Sequence, residues 1–457
     1  MATLATAHLP SGPTRRAVTL AGLGGIGALL LAACGAGAGS GASSDAVLDV
    51  DPASFKGQKL SALLITSHQG AADWLKAEYK KQRGVELELT IVPYDEIGST
   101  LQLDQQSGAN KFDVAAPWYV SLGDLADAGA IKDLTSWIDA DKAQIKPEDF
   151  IPSIYDPYSL IDGKRYGLPF DGDTHVLFYN KTILKRHGIT TPPATWDEYV
   201  AISKKITDAE KDKGVYGNAV FGQKSPLILG ASYANRLAGF GGSFLDESGK
   251  PALTSAAAVA AAENLVASVA TAFPTAAETD FGVGNGAWFR GKVAFIENWT
   301  DLGVGSQLNA DSTVKDQWGV VTLPVGGSNT TPRASLVAGF SWVIAGGTEK
   351  EALARDFIRF ATSTETNSAL LVSDPPSGID PNRKSSLESA AYTKQYPELQ
   401  KVNTTTLSGA LAWPQVKGAT RAAEVLTDEL AKLIAGQGGT AAEALGRVQS
   451  EWEKILG

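Results

Sequence analysis

The sequence predicts an α/β protein, and three observations carry that prediction. From Lys59 onward, short apolar or alternating runs take turns with amphipathic stretches of helical period, the succession that builds a parallel sheet with crossover helices. Hydrophobic residues make up 44% of the 457 and charged ones 20%, with a mean hydropathy of -0.06, so there is material for a sizeable core. No segment repeats at a fixed period, and no Pro- or Ser-rich linker divides the chain beyond its N-terminal region. Two lobes, if present, must then be joined by more than one chain crossing.

The elements follow in order. KLSALLI from Lys59 is apolar enough for a strand buried on both faces. AADWLKAEYKKQRG sets Trp74, Leu75 and Tyr79 on one side of a helix, with Gly84 as its stop. VELELTIV alternates as a strand, EIGSTLQLDQQSG is a second helix, and FDVAA a third strand. Tyr166 to Pro169 makes a turn and short strand, and HVLFYN is another strand. In TPPATWDEYVAISKKI, Thr195 caps a helix with Glu198 three residues on, a capping box. SAAAVAAAENLVASVA is an alanine-rich helix, while AWFRGKVAFIENWTDLG ends a helix, turns at Gly291 and runs as a strand to Trp299. ASLVAGFSWVIAG reads as one apolar strand, and EKEALARDFIRFATS as a helix with Leu353, Phe357 and Phe360 on its apolar face. Two helices close the chain, parted by Gly436, Gly438 and Gly439, and Thr440 with Glu443 forms a second capping box.

Charge and cysteine count exclude several classes. With 40 Lys+Arg against 50 Asp+Glu, the chain lacks the basic footprint that nucleic acid requires, and a neutral partner suits it better than an anionic one. One Cys allows no internal disulfide. The four histidines (His8, His68, His175, His187) show no paired ligand spacing, so neither a metal nor a cofactor is expected.

Residues 1–33 read as a signal peptide. Arg15 and Arg16 form a positive start, Ala17 to Ala33 is apolar and uncharged, and small residues precede Cys34. The apolar run is too short and glycine-rich to prefer the role of a spanning helix. TRRAVTL loosely resembles a twin-arginine export signal, and LAAC at Leu31–Cys34 resembles the bacterial lipobox. The resemblance implies cleavage before Cys34 and its lipidation; a diacyl group carries two chains, enough for stable anchoring. Residues 34–46 then form a tether of Gly, Ala and Ser with a reach of roughly 20 Å. The expected location is extracytoplasmic, anchored to the cell membrane.

The order of FDVAAPWYVSLGDLADAGAIKDLTSWI, YGLPFDGDTHVLFYNKTILKRHGITTPPATWDEY, GGSFLDESGKPALTS, FRGKVAFIENWTDLG, WGVVTLP and the C-terminal WPQVKGATRAAEVLTDELAKLIAGQGGTAAEAL resembles the family 1 extracellular solute-binding proteins. These are the sugar-binding components of bacterial ABC importers, a group that includes the maltose-binding protein. The resemblance covers essentially the whole mature chain. It implies a type II periplasmic-binding-protein-like fold of two α/β lobes joined by a multi-strand hinge, with ligand trapped in the cleft. Residues 47–170 plus 340–395 are expected in the first lobe, and 171–339 plus 396–457 in the second. It further implies no enzymatic step, a carbohydrate ligand, an ABC permease as partner, and a monomer.

A carbohydrate site needs flat aromatic faces for sugar C–H surfaces and planar polar groups for hydroxyls. Trp118, after DVAAP at a strand end, and Trp299, past KVAFIEN, are the first candidates, by strand-end position and by resemblance. Phe340 and Trp342 alternate on one face of GFSWVI, and Trp413 lies in AWPQV; for all five, packing is the competing role. In PFDGDTH, one of Asp171 and Asp173 is expected to clamp ligand hydroxyls and the other to serve an Asp-Gly turn. His68 follows the first strand, Asn298 and Asp301 flank Trp299, and Arg383 either reaches the cleft or holds its own loop. Trp74, Trp137, Trp196, Trp318 and Trp452 read as structural. Two alternatives stay open: a binder of a non-sugar solute such as a polyol or peptide, and a glycoside-active enzyme. The latter needs paired carboxylates at a defined separation, for which a DGD turn is poor evidence.

Overall fold

The chain is described by a computed structural model over residues 51–172 and 174–457; Cys34, the tether and Asp173 lie outside the described residues. KLSALLI, apolar on both sides, forms β1 (Lys59–Ile65) and pairs in parallel with β2 (Glu86–Val92) and β3 (Val114–Ala115). The helix between β1 and β2 spans Gln69–Arg83, with Lys80, Lys81 and Arg83 in its last turn beside the negative end of the helix dipole. A small hairpin, β4 (Leu160–Ile161) and β5 (Lys164–Arg165), precedes β6 (Leu168–Asp171), after which the chain leaves for a second sheet. That sheet holds β7 (His175–Asn180), β8 (Tyr216–Ala219), β9 (Val293–Trp299) and β10 (Trp318–Val321). The chain then forms β11 (Ser335–Leu336) and returns to the first sheet as β12 (Phe340–Ile344), and β13 (Leu411–Ala412) later pairs with β11.

The first sheet runs β2-β1-β3-β12-β6 and the second β10-β7-β9-β8, giving two lobes. Strands β12 and β6, supplied by chain that brackets the second lobe in sequence, lie antiparallel to each other, and β12 is antiparallel to β3. The outward crossing needs a glycine: a Cβ on Gly172 would sit 1.8 Å from the Pro381 carbonyl oxygen. Residues 335–344, expected as one strand, are two. At Gly339 the backbone presses on the Tyr158 ring, where a Cβ would lie 1.8 Å from a ring carbon, and the chain changes partners from β13 to β3 and β6.

The inner strands are buried on both faces, so alternation along them sorts residues between two apolar cores, while the edge strand β2 keeps Glu88 and Thr90 exposed. Leu60, Ala62 and Leu64 enter one cluster with Phe357 and Leu353, whereas Leu63 and Ile65 enter another. In the second lobe, Leu177 and Phe295 meet Trp196 and Tyr199 of the helix Trp196–Glu210, which opens with the Thr195–Glu198 capping box. The closing helices, Ala419–Ile434 and the Thr440-capped Ala441–Ile455, pack on each other and on the second-lobe helix Ala256–Val269. Among the described residues no helix is long and apolar enough to cross a membrane.

Strand β9 carries a buried charge with full compensation. Glu297 accepts from Arg236 Nη2 at 2.9 Å (Oε1) and from Nη1 at 3.0 Å (Oε2), and Asn235 Nδ2 adds a third bond of 3.0 Å. The Arg236 guanidinium also lies 4.5 Å over the Trp196 ring. Glu297→Ala strands the arginine in an apolar interior, and unfolding by urea is expected to show a loss of about 3–5 kcal/mol. A loss under about 1 kcal/mol would show that the arginine reaches water instead.

Candidate ligand-binding cleft

The C-terminal ends of β1, β2 and β6 in the first lobe face the end of β9 and the helix Phe281–Phe289 in the second, enclosing a cavity of about 260 Å³. Strand ends supply polar side chains because the sheet interior is already filled, which is why ligand sites of open α/β sheets sit there. His68, from the turn after β1, donates from Nε2 to Asp171 Oδ2 at 3.1 Å; its Nδ1 is buried with no partner. The other Asp171 oxygen accepts the backbone N–H of Asp380 at 2.7 Å. Asp380 in turn is bonded by the Thr300 hydroxyl, which Asn403 Nδ2 holds at 3.1 Å. Asp301 completes a group of three carboxylates on the cavity wall, at the first turn of the helix Asp301–Leu308, where the helix dipole favours an anion.

Neither lysine nor arginine lines this cavity. Enclosure away from water, with the Asp171 charge adding to it, pushes Asp301 up to about 7. Asp380 is raised well above the carboxylate range, first by burial and then by Asp301 and Asp171. Asp301 and Asp380 therefore hold their protons more tightly than free carboxyls do, and each can donate as well as accept.

Opposite it stands Trp299, 8% exposed, with Nε1 buried and unpartnered. Its ring is wedged edge-on against His175 (4.1 Å) and Phe281 (4.6 Å) and lies near-parallel to Phe221 at 6.2 Å. His175 is fully enclosed and held at a pKa of about 3 by burial, so it is neutral. Asn235 Nδ2, already donating to Glu297, also donates to His175 Nδ1 at 2.6 Å, leaving the ring proton on Nε2. The compensated Arg236–Glu297 pair thus reaches Trp299 through Asn235 and His175. Asn298 sits alongside, its Oδ1 taking the Trp299 N–H at 2.8 Å and its Nδ2 reaching Asn285 Oδ1 at 2.6 Å.

Of the residues singled out from sequence, His68, Asp171, Asn298, Trp299, Asp301 and Phe340 are brought together on this cavity. Four are placed elsewhere. Trp118 lines a separate, larger cavity and donates from Nε1 to the Val337 carbonyl at 3.2 Å. Trp342 does not share a face with Phe340: a register shift in β12 between Phe340 and Ser341 parts them. Phe340 meets His68 at 4.7 Å, while Trp342 turns into the core against Phe357 at 4.9 Å. Trp413 is buried, stacked on Phe244 at 4.4 Å. Arg383 is a structural tie, donating to the carbonyls of Thr362 (2.6 Å) and Ile145 (2.9 Å) and lying 3.8 Å over Phe150.

Sequence reasoning passed over Tyr94, Phe281, Asn285 and Asp380, all on the cavity wall. Tyr94 follows β2 and was open to the same strand-end rule that selects Trp118. Asp380 lies three residues before Arg383, so the loop was recognised but not its ligand-facing group. Phe281 and Asn285 come from a helix start with no strand-end signal. Among the described residues, no group of three or more His, Cys, Asp or Glu is arranged to hold a metal ion.

The carboxylate assignment has a thermodynamic signature. A folded-state pKa above the unfolded one means that the folded protein holds the extra proton, so this contribution weakens as pH rises from about 4 to 7. His175, depressed by burial, has the opposite slope below its ordinary pKa, so the raw melting curve blends both. The difference isolates Asp301: the melting temperature of wild type minus that of Asp301→Asn is expected to fall between about pH 4.5 and 7.5. A flat difference would place Asp301 in ordinary solvent.

Comparison with known proteins places the chain in a family. A probable ABC transporter-binding protein of Deinococcus radiodurans is 29% identical over 305 residues, 65% of this chain and 68% of that one. An erythritol/L-threitol-binding protein of Mycolicibacterium smegmatis is 24% identical over 225 residues, 46% of each chain. An ABC transporter solute-binding protein of Agrobacterium radiobacter K84, solved with ribitol, superposes with a TM-score of 0.77 at 25% identity, over 88% of this chain and 99% of that one. Residues 66–368, which include every residue of the cavity wall except Ile65, Gly378 and Asp380, match the bacterial extracellular solute-binding protein model, and the chain belongs to that family.

Proposed function

We propose that this protein captures a small polyhydroxylated molecule, an acyclic polyol or a monosaccharide, between its lobes and hands it to an ABC permease. The observation that carries this reading is the cavity itself: one tryptophan face opposite Asp171, Asp301 and Asp380, with His68, Asn285 and Asn298 between them. Carboxyl groups with spare accepting capacity, some of them protonated and able to donate, suit a ligand dense in hydroxyl groups, each able to do both. Apolar C–H surface on the same ligand finds Trp299, Phe281 and Phe340. At about 260 Å³ the cavity falls below the usual range for drug-sized ligands, which favours one sugar unit or its open-chain alditol over an oligosaccharide. The relatives named for erythritol/L-threitol and solved with ribitol support the same size class. The charge balance speaks against anionic solutes.

Calorimetric titration with erythritol, ribitol, mannitol, glucose and maltose is expected to give binding to at least one of the small compounds. Trp299→Ala should weaken it by about 10–100-fold while the fold persists, the loss of one apolar stacking face. Binding of a peptide or a metal with no response to any polyol or sugar would overturn the reading.

We further propose that Cys34 is lipidated after removal of residues 1–33 and that the protein works as a monomer tethered to the membrane. The support is the apolar run ending at LAAC and the Gly-Ala-Ser stretch behind it. Cys34→Ser is expected to abolish incorporation of labelled fatty acid and to leave the precursor uncleaved or the protein released. Undiminished lipid labelling of that variant would refute the anchor.

A further inference from the structure

Beside the inner cavity lies a second one of about 670 Å³. The two share only Tyr94 and Leu227 among their lining residues. Tyr94 stands at the end of β2 in the first lobe but is held by the second. Its hydroxyl donates to Gln223 Oε1 at 3.2 Å, and its ring tilts against Phe281 at 5.4 Å. Leu227, almost fully buried, lines both cavities with it from the segment Pro226–Gly230. The outer cavity is furnished for a polar occupant: Trp118 lines it, and so does Thr420, whose buried hydroxyl oxygen lacks a partner. Charges of both signs stand on its wall, Lys417 with Asp127 at 2.9 Å, Arg421 with Glu424 at 2.9 Å and Lys224 with Asp428 behind it at 2.8 Å, so each of its cations already has a carboxylate partner.

We propose that Tyr94, together with Leu227, is the partition that sets ligand length: it confines the inner chamber to one sugar or alditol unit and shuts it off from an outer chamber able to take another ring. This rests on the reading of the inner cavity as a polyol or sugar site. A phenol spanning the cleft by one hydrogen bond and one ring contact is a removable wall. Truncation at this position joins two spaces that are each already formed, without unpacking a core, because Tyr94 is only half-buried.

The test compares wild type, Tyr94→Ala and Tyr94→Phe by calorimetry. The probes are the small polyol that wild type binds best, and maltitol, lactitol and isomaltitol, which are alditols carrying one further sugar ring. Wild type and Tyr94→Phe are expected to bind the small polyol and reject the longer compounds, since the phenylalanine keeps the wall and loses only the Gln223 bond. Tyr94→Ala should gain at least about tenfold in affinity for one or more of the longer compounds while still binding the small one. Small-polyol binding by Tyr94→Ala with no gain for any longer compound would overturn the partition, and so would equal binding of both sizes by wild type. Loss of all binding by Tyr94→Ala, with an unchanged melting temperature, would also overturn it, making Tyr94 a ligand contact rather than a wall. Failure of wild type to bind any polyol or sugar would instead defeat the functional reading, and the partition with it.

Discussion

Three carboxylates, Asp171, Asp301 and Asp380, converge on one small cavity, and most of the site follows from how they are held. They come from β6, from the start of the helix Asp301–Leu308 and from the loop before Arg383. Removing like charges from water together is costly, and the protein offsets this only in part. Asp171 has His68 and a backbone N–H, and Asp380 has the Thr300 hydroxyl. Protons make up the remainder, which is why Asp301 and Asp380 are shifted upward.

The contrast with Glu297 sharpens the point. It lies two residues before Trp299 on the same strand, yet its oxygens take bonds from Arg236 and Asn235 and none is left over. That compensated pair fixes Asn235, which fixes His175, against which the Trp299 ring stands. The Glu297 charge is fully compensated and serves rigidity, whereas the three cavity carboxyls are compensated only in part. A stacking face held by packing loses little side-chain entropy on binding, so more of the contact energy appears as affinity.

Much of the fold was legible because its signals are local. The apolar β1, the alternating β2, and the two capping boxes at Thr195 and Thr440 each specify an element from a few adjacent residues. Strand-end position likewise led to His68 and Trp299, and the chemistry of a hydroxyl clamp in PFDGDTH to Asp171. What escaped depends on contacts distant in sequence. The register shift that separates Phe340 from Trp342 arises where β12 meets β6, some 170 residues earlier, and period-two alternation is blind to it. The break at Gly339 comes from Tyr158, and the burial of Trp413 from Phe244. Arg383 drew notice as a charge in a loop, but its guanidinium answers backbone carbonyls at Ile145 and Thr362 that no local pattern announces.

These features together bear on which solutes the cleft discriminates against. A ligand rich in hydroxyls can donate to each carboxylate and relieve the shortage that burial creates, at no cost in net charge. A ligand carrying its own carboxylate would bring a further negative charge to an enclosed, acidic space with no lysine or arginine on its wall. A purely apolar ligand would find Trp299 but leave the acid groups unanswered, and a buried acceptor without a donor costs about 1–3 kcal/mol. Selectivity therefore does not require a unique contact for each hydroxyl. On the proposed reading it follows from clustered carboxyl groups that a dense array of hydroxyls can satisfy, with Trp299, Phe281 and Phe340 on the same cavity wall.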